Sequence, residues 1–328
     1  MNTSTVTRML RAMAAALSLL LACPLVHAQA WPSKPVRIIV PFPPGNGADT
    51  IARLLAERLT AALGAKFIVE NRPGAGSMIG TAYAAKAPAD GYTLLIGGSS
   101  AMVINPHLFA HPGYDTLRDF APITNIASLP MVVAVNPSFP AHNIAELIRY
   151  AKQHPKAVMY GSSGVGSSNY LVQAMFAAAA GIQLTHVPYK GSAASMTDLI
   201  SGNIMMLTDT LPAVLPYARA GKVRLLGIST LRRSSFIPDV PTLDEQGVRG
   251  FDATAWSGLF APRGTPTQIL DRLNAETVKA LHDPVVQKQF QRLSIDIVAD
   301  SRADFTRFIN AELVRWGNAI KALGIPKE

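Results

Sequence analysis

The sequence predicts an α/β fold of two lobes, each built on a parallel or mixed sheet, with a ligand cleft between them. Three observations carry that prediction. Short β-branched runs are followed by Gly-rich loops and then by helical periodicity, repeatedly along the 328 residues. The pattern breaks between Ser99 and Pro130, where Pro106, Pro112, Pro122 and Pro130 fall, and restarts at MVVAV (131–135). An extended segment, DATAWSGLFAPRGTP (252–266), then returns before two long amphipathic patterns close the chain. Such a return makes lobe one discontinuous, residues 31–129 plus 252–328, with lobe two inserted as 130–251.

The first strand is VRIIV (36–40), a run suited to a buried parallel sheet. It leaves through PFPPGNGAD into a helix whose Ile51, Leu54, Leu55, Leu59, Ala62 and Leu63 share one face. Asp49 or Thr50 is placed to cap the start and Gly64 to end it. KFIVE (66–70) is a second strand, NRPGAGS (71–77) a Gly-rich loop, MIGTAYAAKA a helix and YTLLIG (92–97) a third strand. Two successive strand–loop–helix units specify parallel pairing. The proline-marked stretch 99–130 reads as an irregular passage between lobes rather than as helix. In lobe two, NIAELIRYAKQH follows MVVAV with capping-box spacing at Asn143 and Glu146. VMYGSSGVGSSNYLVQAMFAAAAG (158–181) gives strand, loop, helix and glycine stop. After THVPYKGS come a helix over 193–201, the strand IMMLTD, a short helix around PAVLPYARAG and the strand VRLLGIS (223–229). TQILDRLNAETVKALH and DFTRFINAELVRWGNAIKAL are the closing helices.

The first thirty residues stand apart. Arg8 and Arg11 precede the apolar run AMAAALSLLLACPLV, and Ala28 and Ala30 form an A-x-A cleavage signal, so residues 1–30 read as a secretory signal peptide. Leu21 and Pro24 suit lipidation of Cys23 poorly, which favours soluble export. Cleavage after Ala30 leaves 298 of 328 residues and no cysteine, which excludes disulfides and thiolate metal sites. The formal charge of +9 becomes +7 once Arg8 and Arg11 are removed. Without basic runs in an exported chain, that excess suits a field drawing small anions rather than nucleic acid.

Chemistry concentrates in three glycine turns, PPGNGAD, NRPGAGS and GSSGVGSS, each at a strand's carboxyl end. There backbone N–H groups and the helix dipole favour negative charge. No GxGxxG with a following acid and no GxxxxGK[ST] occurs, so nucleotide phosphate is unsupported. Serine hydroxyls (Ser77, Ser163, Ser167, Ser168) and N–H groups suit a carboxylate bound by neutral donors. Catalytic sets are scarce: GxSxG fails by one position at Ser163 and again at Ser99. His107 and His111 have metal-ligand spacing only on a helix, which Pro106 and Pro112 oppose, and His186 reads as a packed residue. Arg72 and Lys190 could reach an anion or pair with Glu70 and Asp198. Asp209 either caps the helix after it or makes a polar contact in the cleft. In that contact its charge disfavours a nearby second carboxylate, which favours a ligand with one carboxylate and a neutral or amine-bearing far end.

The segments VPFPPGNGADTIAR, VENRPGAGSMIG, ADGYTLLIG, VPYKG, ISGNIMMLTDTLPAVLPYARAGKVRLLGIST, PDVPTLDEQG and WSGLFAPRGTP resemble, in order and spacing, the Bug family of extracytoplasmic solute receptors. These are the periplasmic binding components of tripartite tricarboxylate transporters. The resemblance covers essentially all of residues 31–328. It implies a monomeric Venus-flytrap binding protein of type II, without enzymatic activity or cofactor, that hands a small organic acid to large and small integral-membrane permease subunits. By motif, Phe42, Gly45, Asn46 and Ala48 with Ala75 and Ser77 hold one carboxylate, while Gly166, Ser167, Ser168 and Asp209 face the other end. The chain departs from the family at Asn46, usually glycine, at Tyr170 and Ala174, commonly His and Glu, and at Met205 and Thr208, often Asp and Phe. Two other readings are an exported serine hydrolase or transferase using Ser163 or Ser167 with His186 and Asp209, and a sensory receptor presenting its ligand to a signalling partner.

Overall fold

Val36–Val40 forms β1, whose β-branched side chains are buried along nearly its whole length. A strand this apolar needs cover on both faces. The computed structural model describes residues 31–327; the signal-peptide expectation and Cys23 lie outside them. β1 pairs in parallel with β2 (Phe67–Asn71) and β3 (Thr93–Gly98). Helix α1 (Gly47–Leu63) crosses between β1 and β2, and α2 (Met78–Ala85) between β2 and β3. On α1, Ile51, Leu55, Leu59 and Leu63 are buried, each worth about 1.5–3 kcal/mol. Leu54 is half-buried and Ala62 exposed, so the apolar stripe is narrower than its sequence pattern.

The expected caps of α1 need correction at one end. Gly64 ends the helix in the left-handed conformation (φ 71°), but the N-cap is Asn46, whose Oδ1 accepts the Asp49 N–H at 2.9 Å. Asp49 is instead turned inward, as described below.

The passage from Ser99 is not irregular. Ser100–Ile104 winds as a π-helical segment that runs into α3 (Asn105–Leu108). Pro106 fits there because the first helical turn has no backbone donor to lose. After α4 (Thr116–Asp119) the chain enters β4 (Phe120–Val135), a sixteen-residue strand that starts well before MVVAV. Pro122 is tolerated because the ladder shifts register between Pro122 and Thr124, a bulge that needs no donor. Pro130 sits where β4 changes partners. Residues 120–130 pair antiparallel with β9 (Thr254–Pro262), while Met131–Val135 pair with β7 (Met206–Thr210), and the same stretch pairs on its other side with β8 (Arg224–Ile228).

Among the described residues the strand order, with Met159–Ser162 as β5 and Thr185–Pro188 as β6, is therefore β2-β1-β3-β9-β4-β7-β5-β6, with β8 and β10 (Asp296–Ile297) also on β4. The second lobe continues with α5 (Ile144–Gln153), β5, α6 (Ser168–Ala180), β6, α7 (Ser192–Ser201) and, after β7, α8 (Leu211–Arg219). β5 lies parallel to both β6 and β7. The capping spacing at α5 is used with the return bond one residue early: Asn143 Oδ1 accepts from Glu146 N at 2.8 Å, and Glu146 Oε2 accepts from the N–H of His142, the residue before the cap, at 2.7 Å.

Three helices, not two, follow β9: α9 (Thr267–Leu281), α10 (Pro284–Arg292) and α11 (Arg302–Ala322). α10 escapes a periodicity reading because it buries only Val286 and Phe290; its signal is local, an Asp283 cap followed by Pro284. α11 is fixed to β9 by Trp256, Phe305 and Phe308, with ring centroids 5.5–5.8 Å apart around Trp256. Beneath them the buried Glu312 accepts from two indoles, Trp256 Nε1 at 3.1 Å and Trp316 Nε1 at 2.9 Å.

Candidate functional site

The turn after β1 is held from below by a buried carboxylate. Asp49 accepts from Gly45 N (2.9 Å), Arg53 Nε (2.9 Å) and Asn71 Nδ2 (2.9 Å), and Asn71 Nδ2 also reaches the Phe42 carbonyl at 3.1 Å. Burial alone would raise the Asp49 carboxyl, but the hydrogen bonds from Arg53, Gly45 and Asn71 outweigh it and hold the group below the usual carboxylate range. The loop is thus clamped to the end of β2. Asn46 and Gly45 point their polar groups into this clamp: Asn46 Oδ1 caps α1 and the Gly45 N–H meets Asp49. Phe42 and Ala48 are half-buried beside them.

The second loop is locally strained. Gly74, Ala75, Gly76 and Ser77 all have positive φ (129°, 44°, 59° and 82°), which for the two non-glycine residues costs about 1–3 kcal/mol each. Within this turn the Ser77 N–H is taken up by the Gly74 carbonyl at 3.0 Å. α2 closes down on this loop at Gly80, where a Cβ would lie 2.5 Å from the Arg72 carbonyl oxygen. Arg72 itself is engaged: its guanidinium meets Glu70 at 2.5 Å and lies 3.6 Å from the centre of the Tyr83 ring. Lys190 is exposed, and Asp198 accepts from Tyr189 Oη (2.7 Å) and Asn203 (3.2 Å).

The third loop follows β5 and is organised by Asn169, a residue sequence reasoning passed over. Its Nδ2 donates to Ser163 Oγ and to Asp209 Oδ2 (both 3.1 Å), and its Oδ1 accepts from Ser163 N (3.2 Å) and Ser167 Oγ (2.6 Å). Ser167 also caps α6 by accepting from Tyr170 N, and the Ser168 N–H donates to Ser100 Oγ at 3.0 Å. Asp209 is 5% exposed and accepts the Thr210 N–H at 2.7 Å. It does not cap α8, which begins without a side-chain cap. Burial raises its carboxyl, against the opposing hydrogen bonds of Ser192, Thr210 and Asn169. Several donors already meet its oxygens, so its charge repels a neighbouring anion less than an open aspartate would.

The three loops converge. A Cβ on Gly76 would lie 3.5 Å from the Val165 carbonyl oxygen, Asn105 Nδ2 donates to the Gly76 carbonyl at 2.7 Å, and Gly80 packs against Pro41 of the first loop. All three sit at carboxyl ends of parallel strands, where open α/β sheets bind ligands. A surface hollow of about 420 Å³ bordered by Lys156, Tyr160 and Leu184 includes none of these loop residues. The serine–histidine–aspartate grouping is not assembled: His186 Nε2 pairs with Ser162 Oγ at 2.6 Å, whereas Ser163 and Ser167 turn to Asn169. His186 is stacked on Tyr160 and tilted against Tyr170, and burial pushes its pKa down. His107 lies in α3 and packs against Gly317, while His111 falls beyond that helix.

A family model described as "Tripartite tricarboxylate transporter family receptor" matches residues 51–325. The chain is 35% identical to BugT of Bordetella pertussis over 300 residues, 91% of this chain and 92% of that protein. Among solved structures it is similar to R. palustris Rpa4515 with adipate (TM-score 0.87, 36% identity, 91% of this chain and 100% of that one). It is also similar to MatC of Rhodopseudomonas palustris with bound malate (TM-score 0.83, 29% identity, 88% and 100%).

Proposed function

This chain belongs to the tripartite tricarboxylate transporter receptor family, and from that premise we propose that it captures a small organic carboxylate between its lobes in the periplasm. It then delivers the acid, as a monomer and without chemical turnover, to large and small integral-membrane permease subunits. The observation that carries the reading is the convergence of three N–H-rich loops, one clamped by Asp49 and one held in left-handed backbone. One carboxylate is assigned to Phe42, Gly45, Asn46, Ala48, Ala75 and Ser77. Because Asn46 takes up the Asp49 N–H, the N–H groups of Gly47 and Ala48 head the α1 dipole as anion donors. The other end of the acid is assigned to Gly166, Ser167, Ser168 and Asp209. The adipate and malate complexes of two relatives support the carboxylate class, and both ligands are diacids.

Thermal unfolding tests this directly. The protein, refolded after denaturation to strip endogenous ligand, is heated with adipate, malate, monocarboxylates, aromatic acids and their amides or esters. An acid at about 100 times its Kd adds roughly 2.7 kcal/mol of stability, a readily seen rise in midpoint. A rise with an acid and none with its ester supports the reading; equal rises with both, or turnover of the bound acid, overturn it.

A further inference from the structure

We propose that Ser100 and Asn105 form a latch between the lobes, so that they set the energy of closure and hence the affinity for every ligand alike. The proposal rests on the receptor reading above and identifies two positioning residues for it. Both lie on the segment Ser100–Leu108, which is anchored in the first lobe: the hydroxyl of Ser99 accepts the Trp256 N–H of β9 at 3.0 Å, and His107 packs on Gly317 of α11. From that anchored base the segment reaches the third loop twice. Ser100 Oγ accepts the first N–H of α6, from Ser168, at 3.0 Å. Asn105, fully buried, holds the Gly76 carbonyl with its Nδ2 at 2.7 Å, and its Oδ1 packs beside Gly166 with no donor meeting it among the described residues, so this second contact is one of shape.

Only a residue without a side chain leaves room for Asn105 and Phe109 to pack this closely. The Gly166 φ of +82° is left-handed, and a Cβ there would stand 2.6 Å from Asn105 Oδ1 and 2.9 Å from the Phe109 ring. The amide orientation is fixed by chemistry, since reversing it would set Oδ1 against the Gly76 carbonyl. Gly166 and Ser168 were assigned to the ligand from sequence; here their backbone is also the surface on which the first lobe seats. The N–H of Ser168, an anion donor by position, is met by a hydroxyl of the opposite lobe.

A latch and a ligand contact differ in how they act on affinity. The apparent Kd of a closing receptor is its intrinsic Kd divided by the competent fraction, so weakening the latch raises Kd by one common factor for all ligands. Loss of one hydrogen bond of this kind corresponds to about a fivefold change. A ligand contact shifts some acids and not others.

The test uses the chain with its one cysteine, Cys23, replaced by serine and with spin labels at Glu57→Cys on α1 and Thr197→Cys on α7, both exposed positions. Pulsed electron resonance gives the interlobe distance without ligand, and titration with adipate, malate and a monocarboxylate gives apparent Kd values. Ser100→Ala is expected to move the distance distribution toward longer values and to raise the Kd of every acid that binds by the same factor, about fivefold, with Ser100→Thr restoring both. Gly166→Ala attacks the same seat from the other lobe; because Gly166 is also assigned to the ligand, its readout is the ligand-free distance alone, which is expected to lengthen as in Ser100→Ala. Unchanged distances in both variants overturn the latch, as does a loss of affinity confined to one acid. If no acid binds the parent protein yet the distances respond, the carboxylate reading fails and the latch stands.

Discussion

The two sides of the cleft are held by different physics. On the first-lobe side a buried Asp49 is matched by a cation, Arg53, and by the donors of Gly45 and Asn71. On the second-lobe side no cation among the described residues meets the buried Asp209, which is held by the amide of Asn169, the hydroxyls of Ser192 and Thr210 and the Thr210 N–H. The first arrangement is a rigid clamp, because charge-assisted hydrogen bonds are about twice as strong as neutral ones. The second is a web of reorientable hydroxyls whose pattern depends on each neighbour.

The largest expected effect comes from breaking the web at its centre. Asn169→Ala leaves Asp209, Ser163 and Ser167 each short of a partner in a buried site, and is expected to cost about 2–4 kcal/mol in urea unfolding and to scramble selectivity among acids. Asp49→Asn tests the clamp. It removes the charge paired with Arg53, with an expected loss of about 1.5–3 kcal/mol and a proportionate weakening of all acids, read by denaturation and by ligand-induced midpoint shifts. If Asp49→Asn changes selectivity and Asn169→Ala does not, the assignment of rigid and adaptable walls is reversed.

Opposite pH slopes sharpen the same comparison. The Asp49 carboxyl is held low in the folded protein, so the unfolded chain binds the proton first. Its stabilisation is complete above the ordinary Asp value near 4 and is lost as pH falls through its lower folded value. The Asp209 carboxyl is raised, so between about 4 and its folded value the native state holds the extra proton and stability falls as pH rises. Midpoints measured from pH 2 to 8 should therefore lose their acid-side rise in Asp49→Asn and their downward slope above about 4 in Asp209→Asn. The smallest effect is at Asn46. Glycine caps helices nearly as well, so Asn46→Gly should cost only a few tenths of a kcal/mol. Altered relative affinities among acids would make Asn46 a ligand contact; unchanged ones would make it the α1 cap alone.

Much of the scaffold was legible because it obeys local rules. The continuous β-branched run VRIIV, the period of 3.6 in the helix to Gly64, and the glycine stops at Gly64 and Gly181 each correspond to an observed element. The return of residues 252–266 corresponds to β9 in the first sheet. Prolines misled where position decides their effect: Pro106 sits in a first helical turn and Pro122 at a bulge. The three loops could be found from their glycines, but not their supports. Asp49 reads as a cap, and no local signal singles out Asn71, Asn105 or Asn169. Their roles depend on partners 22, 29 and 40 residues away, which no local pattern encodes.

β4 carries a consequence for how the molecule behaves as a material. Because one sixteen-residue strand is an interior member of both sheets, neither half could be expressed alone without baring a row of unpaired N–H and C=O groups. Movement between the halves must then be torsion of a shared beam about the partner change at Pro130 and Met131, rather than swinging on a slack tether. Heat should melt such a body in a single calorimetric peak, and a designer who wishes to exchange ligand preferences between relatives would graft loops onto the beam instead of swapping halves across it.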